Sequence, residues 1–216
     1  MAERVNVYVD AFNLYYGALK HTPHRWLDLG KLCALLLPRD QIHRIRYFTA
    51  RVRPLPHNPE QPLRQQLYLR ALQTIPHLSI HYGHFLTHTV RMPLASSMAQ
   101  AEATKSPPQF AQVVKAEEKG SDVNIATHLI HDGHRNDYTT AVIVSNDSDL
   151  LEPIRIVRHE LGRPVGLFNP YAQHPSKVLV REATFVKHIR PNALALSQFP
   201  MTMTDQHGTF HKPGSW

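Results

Sequence analysis

The chain has 216 residues, a formal charge of +7 from 24 Lys and Arg against 17 Asp and Glu, 16 His and a single cysteine. That length suits one α/β domain with one substantial core, while the lone Cys33 excludes an intramolecular disulfide. No apolar run approaches the roughly 20 residues of a membrane-spanning helix, and the basic balance favours an anionic partner. The first residues lead straight into Val5-Asn6-Val7-Tyr8-Val9 without a signal-peptide pattern, so a cytoplasmic protein is expected.

Residues 4–10 alternate in polarity as a first strand ending at Asp10, and 12–20 suit a short helix. Asp28 is placed to cap a helix reaching Leu37, where Pro38 stops it. Residues 42–52 read as a second strand, 60–75 as a helix through Leu63, Leu67 and Leu72, and 78–82 as a third strand. From 87 to 115 the chain is rich in Ala, Ser, Gln and Pro, including Ser106-Pro107-Pro108, and shows no sustained period; an inserted loop is expected there. Val123, Ile125, Ala126, Leu129 and Ile130 then share a helical face that ends near Gly133, and a strand follows at 140–144. A helix at 150–161, a strand at 163–168, a helical turn or two at 176–182 and a last strand at 185–189 complete the alternation. The pattern predicts a mainly parallel sheet of about five to six strands with helices on both faces. The domain should span 1–191, leaving 192–216 as an irregular tail.

The acids are unevenly spread. Eight of the 17 lie between Glu117 and Glu152, accompanied only by Lys119 and Arg135. Asp10 ends the first strand, Asp122 opens a helix, and Asp147 and Asp149 follow the strand 140–144 within Ser145-Asn146-Asp147-Ser148-Asp149. In an open parallel sheet all of these belong to the carboxyl edge, where ligands bind. Each close carboxylate pair at about 4 Å repels by roughly 4 kcal/mol at an effective dielectric of about 20, so a converging set takes up protons or holds a cation. Hard oxygen donors suit magnesium or manganese. Taken singly, each acid is explained equally well as a helix cap.

Three blocks carry a specific resemblance. Asp10-Ala11-Phe12-Asn13, Lys119-Gly120-Ser121-Asp122 and Ser145-Asn146-Asp147-Ser148-Asp149 resemble the signature of the NYN domain family, in the LabA-like branch of the PIN-like nucleases, over residues 4–190. The resemblance implies a PIN-like, Rossmann-like fold and metal-dependent hydrolysis of RNA. By position it implies Asp10, Asp122, Asp147 and Asp149 as Mg2+ or Mn2+ ligands, with Asn13 a polar aide to catalysis and Ser145 a substrate-side residue that helps hold the strand end or a metal-bound water. Asn146 and Lys119, which stand in the same blocks, are expected to meet the substrate. Glu118 is read as a solvated charge.

Arg44, Arg46 and Arg51 are further expected phosphate contacts, against the alternative of a charged strand edge, and Tyr15 is an expected stacking surface, against a core position. His77, His81, His84 and His88 have helical spacing that would suit zinc, but Leu78, Ile80 and Tyr82 alternate as a strand and split them between faces. RNA is the expected partner, and self-association as a homodimer stays open. Competing readings are a PIN-like RNA-binding or regulatory protein without activity and, less well supported, a metal-dependent phosphatase; Asp10 is followed by Ala11-Phe12 rather than by a second paired Asp.

Overall fold

The computed structural model describes residues 4–54, 58–98, 107–171 and 173–216. Six strands form one sheet: β1 (Arg4–Asp10), β2 (Gln41–Thr49), β3 (Leu78–Tyr82), β6 (Thr140–Val144), β7 (Val165–Asn169) and β8 (Phe185–His188). Their order is β3-β2-β1-β6-β7-β8, and every neighbouring pair is parallel. The order reverses between β1 and β6, which register Val5 through Val9 against Thr140 through Val144. Both strands are buried along almost their whole length, as central strands covered on two faces must be.

Alternation along β1 sends Val5, Val7 and Val9 to one core and Tyr8 to the other. The first core packs against α1 (Ala11–Leu14), which widens into a π-turn at Tyr15–Leu19, and against α2 (Leu29–Leu36) and α3 (Gln61–Leu72). The second packs against α4 (Ser121–His134), α5 (Leu151–Arg155) with its π-turn Ile156–Glu160, and α6 (Lys177–Glu182). Asp28 caps α2 through the Lys31 amide, as its spacing suggests. Cys33 is buried, and burial foremost, with the Asp28 charge, pushes its thiol up to about 12, so it is an inert core group.

Two expectations fail. The stretch expected to be an inserted loop is instead a two-stranded antiparallel ribbon, β4 (His84–Pro93) paired over ten residues with β5 (Phe110–Lys119). The ribbon stands apart from the main sheet and is wet on both faces, so it has no buried side to impose alternation on its sequence. Ser106, named in that expectation, lies outside the described residues, which resume at Pro107.

The second concerns 192–216, which is not irregular. It begins within α7 (Pro191–Leu196) and continues into a hairpin of β9 (Thr202–Asp205) and β10 (Gly208–His211). Phe199, Phe210 and Trp216 pack around buried Trp26, at centroid separations of 5.8, 6.4 and 6.3 Å. Short strands anchored by aromatics at uneven spacing carry no period to read.

Among the described residues no helix is long and apolar enough to cross a membrane.

Candidate active site

The reversal between β1 and β6 places two acidic loops side by side at the carboxyl edge of the sheet, the position at which open α/β sheets bind ligands. Asp10, 3% exposed, ends β1 and caps α1. Its Oδ1 accepts from the Asn13 amide at 2.9 Å, and its Oδ2 accepts from Asn13 Nδ2 at 2.9 Å and from Ser145 Oγ at 3.0 Å. Ser145 Oγ accepts in turn from the Asp147 amide at 3.1 Å, and Asn13 Oδ1 accepts from the Asn146 amide at 3.1 Å. The ends of β1 and β6 are thus stitched together by side chains 135 residues apart.

Asn146 extends the network. Its Oδ1 accepts from Asn169 Nδ2 at 3.0 Å and from the Ser176 amide at 2.6 Å, and its Nδ2 donates to the His174 carbonyl at 2.9 Å. These bonds make Asn146 a strut beneath the loop after β7 rather than a group facing outward. Asn169, buried at the end of β7, also accepts from the Tyr171 amide at 2.7 Å. Asn169 was missed in the sequence; its position at the end of a central strand beside the reversal was the available signal.

Asp122 lies in the first turn of α4, opposite these loops. Burial first, then the charges of Asp10, Asp147, Glu118 and Asp149, push its carboxyl up to about 6. Asp10 is raised as well, chiefly by burial and also by Asp147, against the lowering effect of its Asn13 and Ser145 bonds. Asp149 is exposed, in a short turn after Asp147 whose Oδ1 accepts the Asp149 amide at 3.0 Å. The carboxylates therefore share one field. Among the described residues, however, no three acidic, histidine or cysteine groups are already drawn close enough to cage an ion.

Glu118 is more than a solvated charge. Its Oε1 accepts from Ser121 Oγ at 2.8 Å and from the Ser121 amide at 3.2 Å, tying the end of β5 to the start of α4, and its charge reaches Asp122. A side chain at Gly83 would collide with Glu118 and with the Lys119 carbonyl, so the glycine lets the ribbon lie this close. Lys119 is half-exposed and pairs with Glu117 at 3.5 Å.

The arginines divide. Arg46 grips Asp132 through two bonds of 2.7 and 2.9 Å, and Arg44 holds Asp137 at 2.7 Å. Both stand in the body of β2 with their guanidinium groups paired to carboxylates, the arrangement of a charged strand edge, which stood as the alternative to phosphate contacts. Arg51, past the end of β2, lies over the Tyr82 ring at 5.0 Å and lines a cleft with Arg53, Gly83 and His84. Tyr15 belongs partly to the core and partly to a second cavity beside α1. The histidine row is split by the strand, as its alternation suggests: His81 stacks on Phe48 at 4.9 Å and meets His128 at 4.2 Å, and burial foremost, aided by His128 and Arg46, lowers it to about 4.

The chain is 27% identical over 236 aligned residues to 6-hydroxy-3-succinoylpyridine 3-monooxygenase HspA of Pseudomonas putida (strain DSM 28022 / S16), covering 99% of this chain and 75% of that protein. A crystal structure of a Vibrio parahaemolyticus RIMD 2210633 protein of unknown function superposes with a TM-score of 0.59 at 14% identity, over 88% of this chain and 95% of that one, a likeness of fold. The model of the NYN domain matches residues 4–190, the whole six-stranded sheet with its acidic edge, and the chain belongs to that family.

Proposed function

We propose that this protein is a metal-dependent ribonuclease that hydrolyses phosphodiester bonds of single-stranded RNA, most simply as an endonuclease. The observation that carries the reading is the meeting of Asp10 and the Asp147 loop at the β1–β6 reversal, joined through Ser145, with Asp122 near enough for their charges to raise it. Such a group is poised either to keep a proton or to exchange it for a cation. The donors are all oxygen, which fits Mg2+ or Mn2+, and Asp10, Asp122 and Asp147, with Asp149 at the rim, are the residues that would hold it. When bound, the ion would supply Lewis acidity toward phosphate and lower the pKa of water.

The chain's own residues do the rest. Asn13 and Ser145 fix the Asp10 carboxylate by three side-chain and backbone bonds, so it cannot swing away from the edge. Asn146 locks the β6 loop that carries Asp147 and Asp149. Arg51 and Arg53 line the neighbouring cleft and give a cationic flank to an RNA backbone approaching the acids. NYN domains belong to the PIN-like nuclease superfamily, which supports the reading.

Labelled single-stranded RNA incubated with the protein and manganese or magnesium is expected to be cut, and EDTA, Asp10→Asn or Asp147→Asn to stop it. Cleavage surviving both substitutions and chelation would refute the assignment, and binding without cleavage under either metal would mark an RNA-binding protein. A second reading rests on the HspA relative, whose name specifies oxygenation of a hydroxypyridine bearing a succinoyl arm. In that case dioxygen uptake with this pyridine and an added two-electron donor would appear, and RNA would remain intact.

A further inference from the structure

Beside the acidic edge, at the carboxyl ends of β1 and β2, the protein holds a cavity of about 360 Å3. This is within the size range of small-molecule sites, roughly 300–1,000 Å3. Its walls are aromatic: Tyr15 from the turn after α1, Tyr47 from β2, Tyr68 from α3 and Trp216 from the C-terminal segment. Trp216 is held against Tyr68 at 5.7 Å and Trp26 at 6.3 Å, so the segment after α7 closes one side. The β4–β5 ribbon closes another through Phe85, Thr87 and Ala116.

The polar part of the lining is one-signed. Arg25, Arg53 and Arg64 stand in it, and no acid is among the described residues that line it. Arg64 is only 16% exposed; it donates to Asn58 and pairs at 3.2 Å with Glu60, a carboxylate 73% exposed toward solvent. Arg25 is braced by a bond from Nε to the Thr22 carbonyl at 3.1 Å. Flat apolar walls with three guanidinium groups favour a planar ring carrying negative charge, since Arg pairs bidentately with carboxylate or phosphate and also stacks on aromatic faces.

The cavity is contiguous with the acids. Ala11 and Phe12 follow Asp10 in the chain and line it, and the Asp10 charge is felt at the Tyr47 hydroxyl. We propose that this cavity binds a planar aromatic anion, its ring between the aromatic walls and its carboxylate or phosphate arm on Arg53 and Arg64. A free aryl carboxylate and a nucleotide of a longer RNA share this chemistry. The site does not depend on phosphodiester cleavage, because none of its lining residues is a proposed cation ligand.

The test is calorimetric titration of the full chain in EDTA with pyridine-3-carboxylate, 3-benzoylpropanoate and uridine 5′-monophosphate, each beside its uncharged counterpart (pyridine-3-carboxamide, the benzoylpropanoate methyl ester, uridine). At least one anion is expected to bind with a dissociation constant below about 1 mM, and its neutral counterpart about tenfold more weakly. Arg53→Gln and Arg64→Gln should each weaken the anion about tenfold with an unchanged circular dichroism spectrum, while Arg44→Gln, outside the cavity, should not. Binding by the carboxylates alone identifies a free aromatic acid, and binding by the monophosphate alone identifies a nucleotide. If none of the three anions binds, if neutral compounds bind as well, or if Arg53→Gln and Arg64→Gln change nothing, the proposal is overturned. Binding that persists in Asp10→Asn, where RNA cleavage should be lost, keeps this result separate from the nuclease reading.

Discussion

Asp10 shows how one side chain serves folding and chemistry together. It caps α1, which any sequence with Asp at that position would invite, yet its second oxygen is turned to Ser145 and Asn13 across the sheet reversal. Ser145 is buried and joins Asp10 Oδ2 to the Asp147 amide, so its hydroxyl positions two proposed ligands at once. Removing it should loosen both. Ser145→Ala is expected to cost about 1 kcal/mol of stability and to lower metal-dependent cleavage about 10- to 100-fold, read by urea denaturation and by RNA turnover across a manganese titration. A fall in turnover that extra manganese does not partly restore would argue that Ser145 has no part in holding the cation ligands.

At the scale of elements, the junction of β5 with α4 determines where Asp122 stands. Gly120 caps α4 with φ of 100°, a left-handed conformation that lets the ribbon turn straight into the helix, two residues before Asp122. Ser121 is then fastened back to Glu118. Gly120→Ala must strain this turn, and a loss on the order of 1–2 kcal/mol is expected together with weaker metal-dependent activity. Thermal denaturation and RNA cleavage on the same preparation check it; an unchanged melting temperature would refute the strained-turn account. The ribbon is not legible in the sequence because an element solvated on both faces has no apolar alternation, whereas β1 shows itself by alternation and the buried β6 as a nearly continuous apolar run.

At the scale of the whole molecule, basic and acidic groups are sorted to different places. The acids of the carboxyl edge repel one another, whereas Asp132 and Asp137 are neutralised by Arg46 and Arg44 along β2. Burial works to raise Asp137, but the bonds from Arg44, Asn6 and His43 outweigh it and hold the carboxyl at about 2, below its usual 3.8. The folded value is depressed, so this stabilisation is present above about pH 4 and disappears as pH falls through about 2. The difference in unfolding free energy between the native chain and Asp137→Asn should therefore shrink as pH falls below about 4, measured by urea titration at each pH. A difference that persists undiminished down to about pH 2 would contradict the ion-pair account.

The primary structure by itself determined the strand and helix alternation, the parallel sheet and the three acidic blocks. Each of these is written locally, as a period of apolar residues or as an acid at the end of one. Asp10, Asp122 and Asp147 could be named because strand ends in a parallel sheet share an edge. Tertiary structure alone decided which arginines remain near that edge: Arg44 and Arg46 look like Arg51 in the chain, and only the placement of Asp137 and Asp132 on the far side of the reversal removes them. It also decided that Glu118 belongs with Asp122, that residues after Arg190 fold against Trp26, and that a cationic aromatic cavity adjoins the acids. The physical reason is common to all three. Burial, charge pairing and cavity shape are properties of residues distant in sequence, and no local period records which of them will meet.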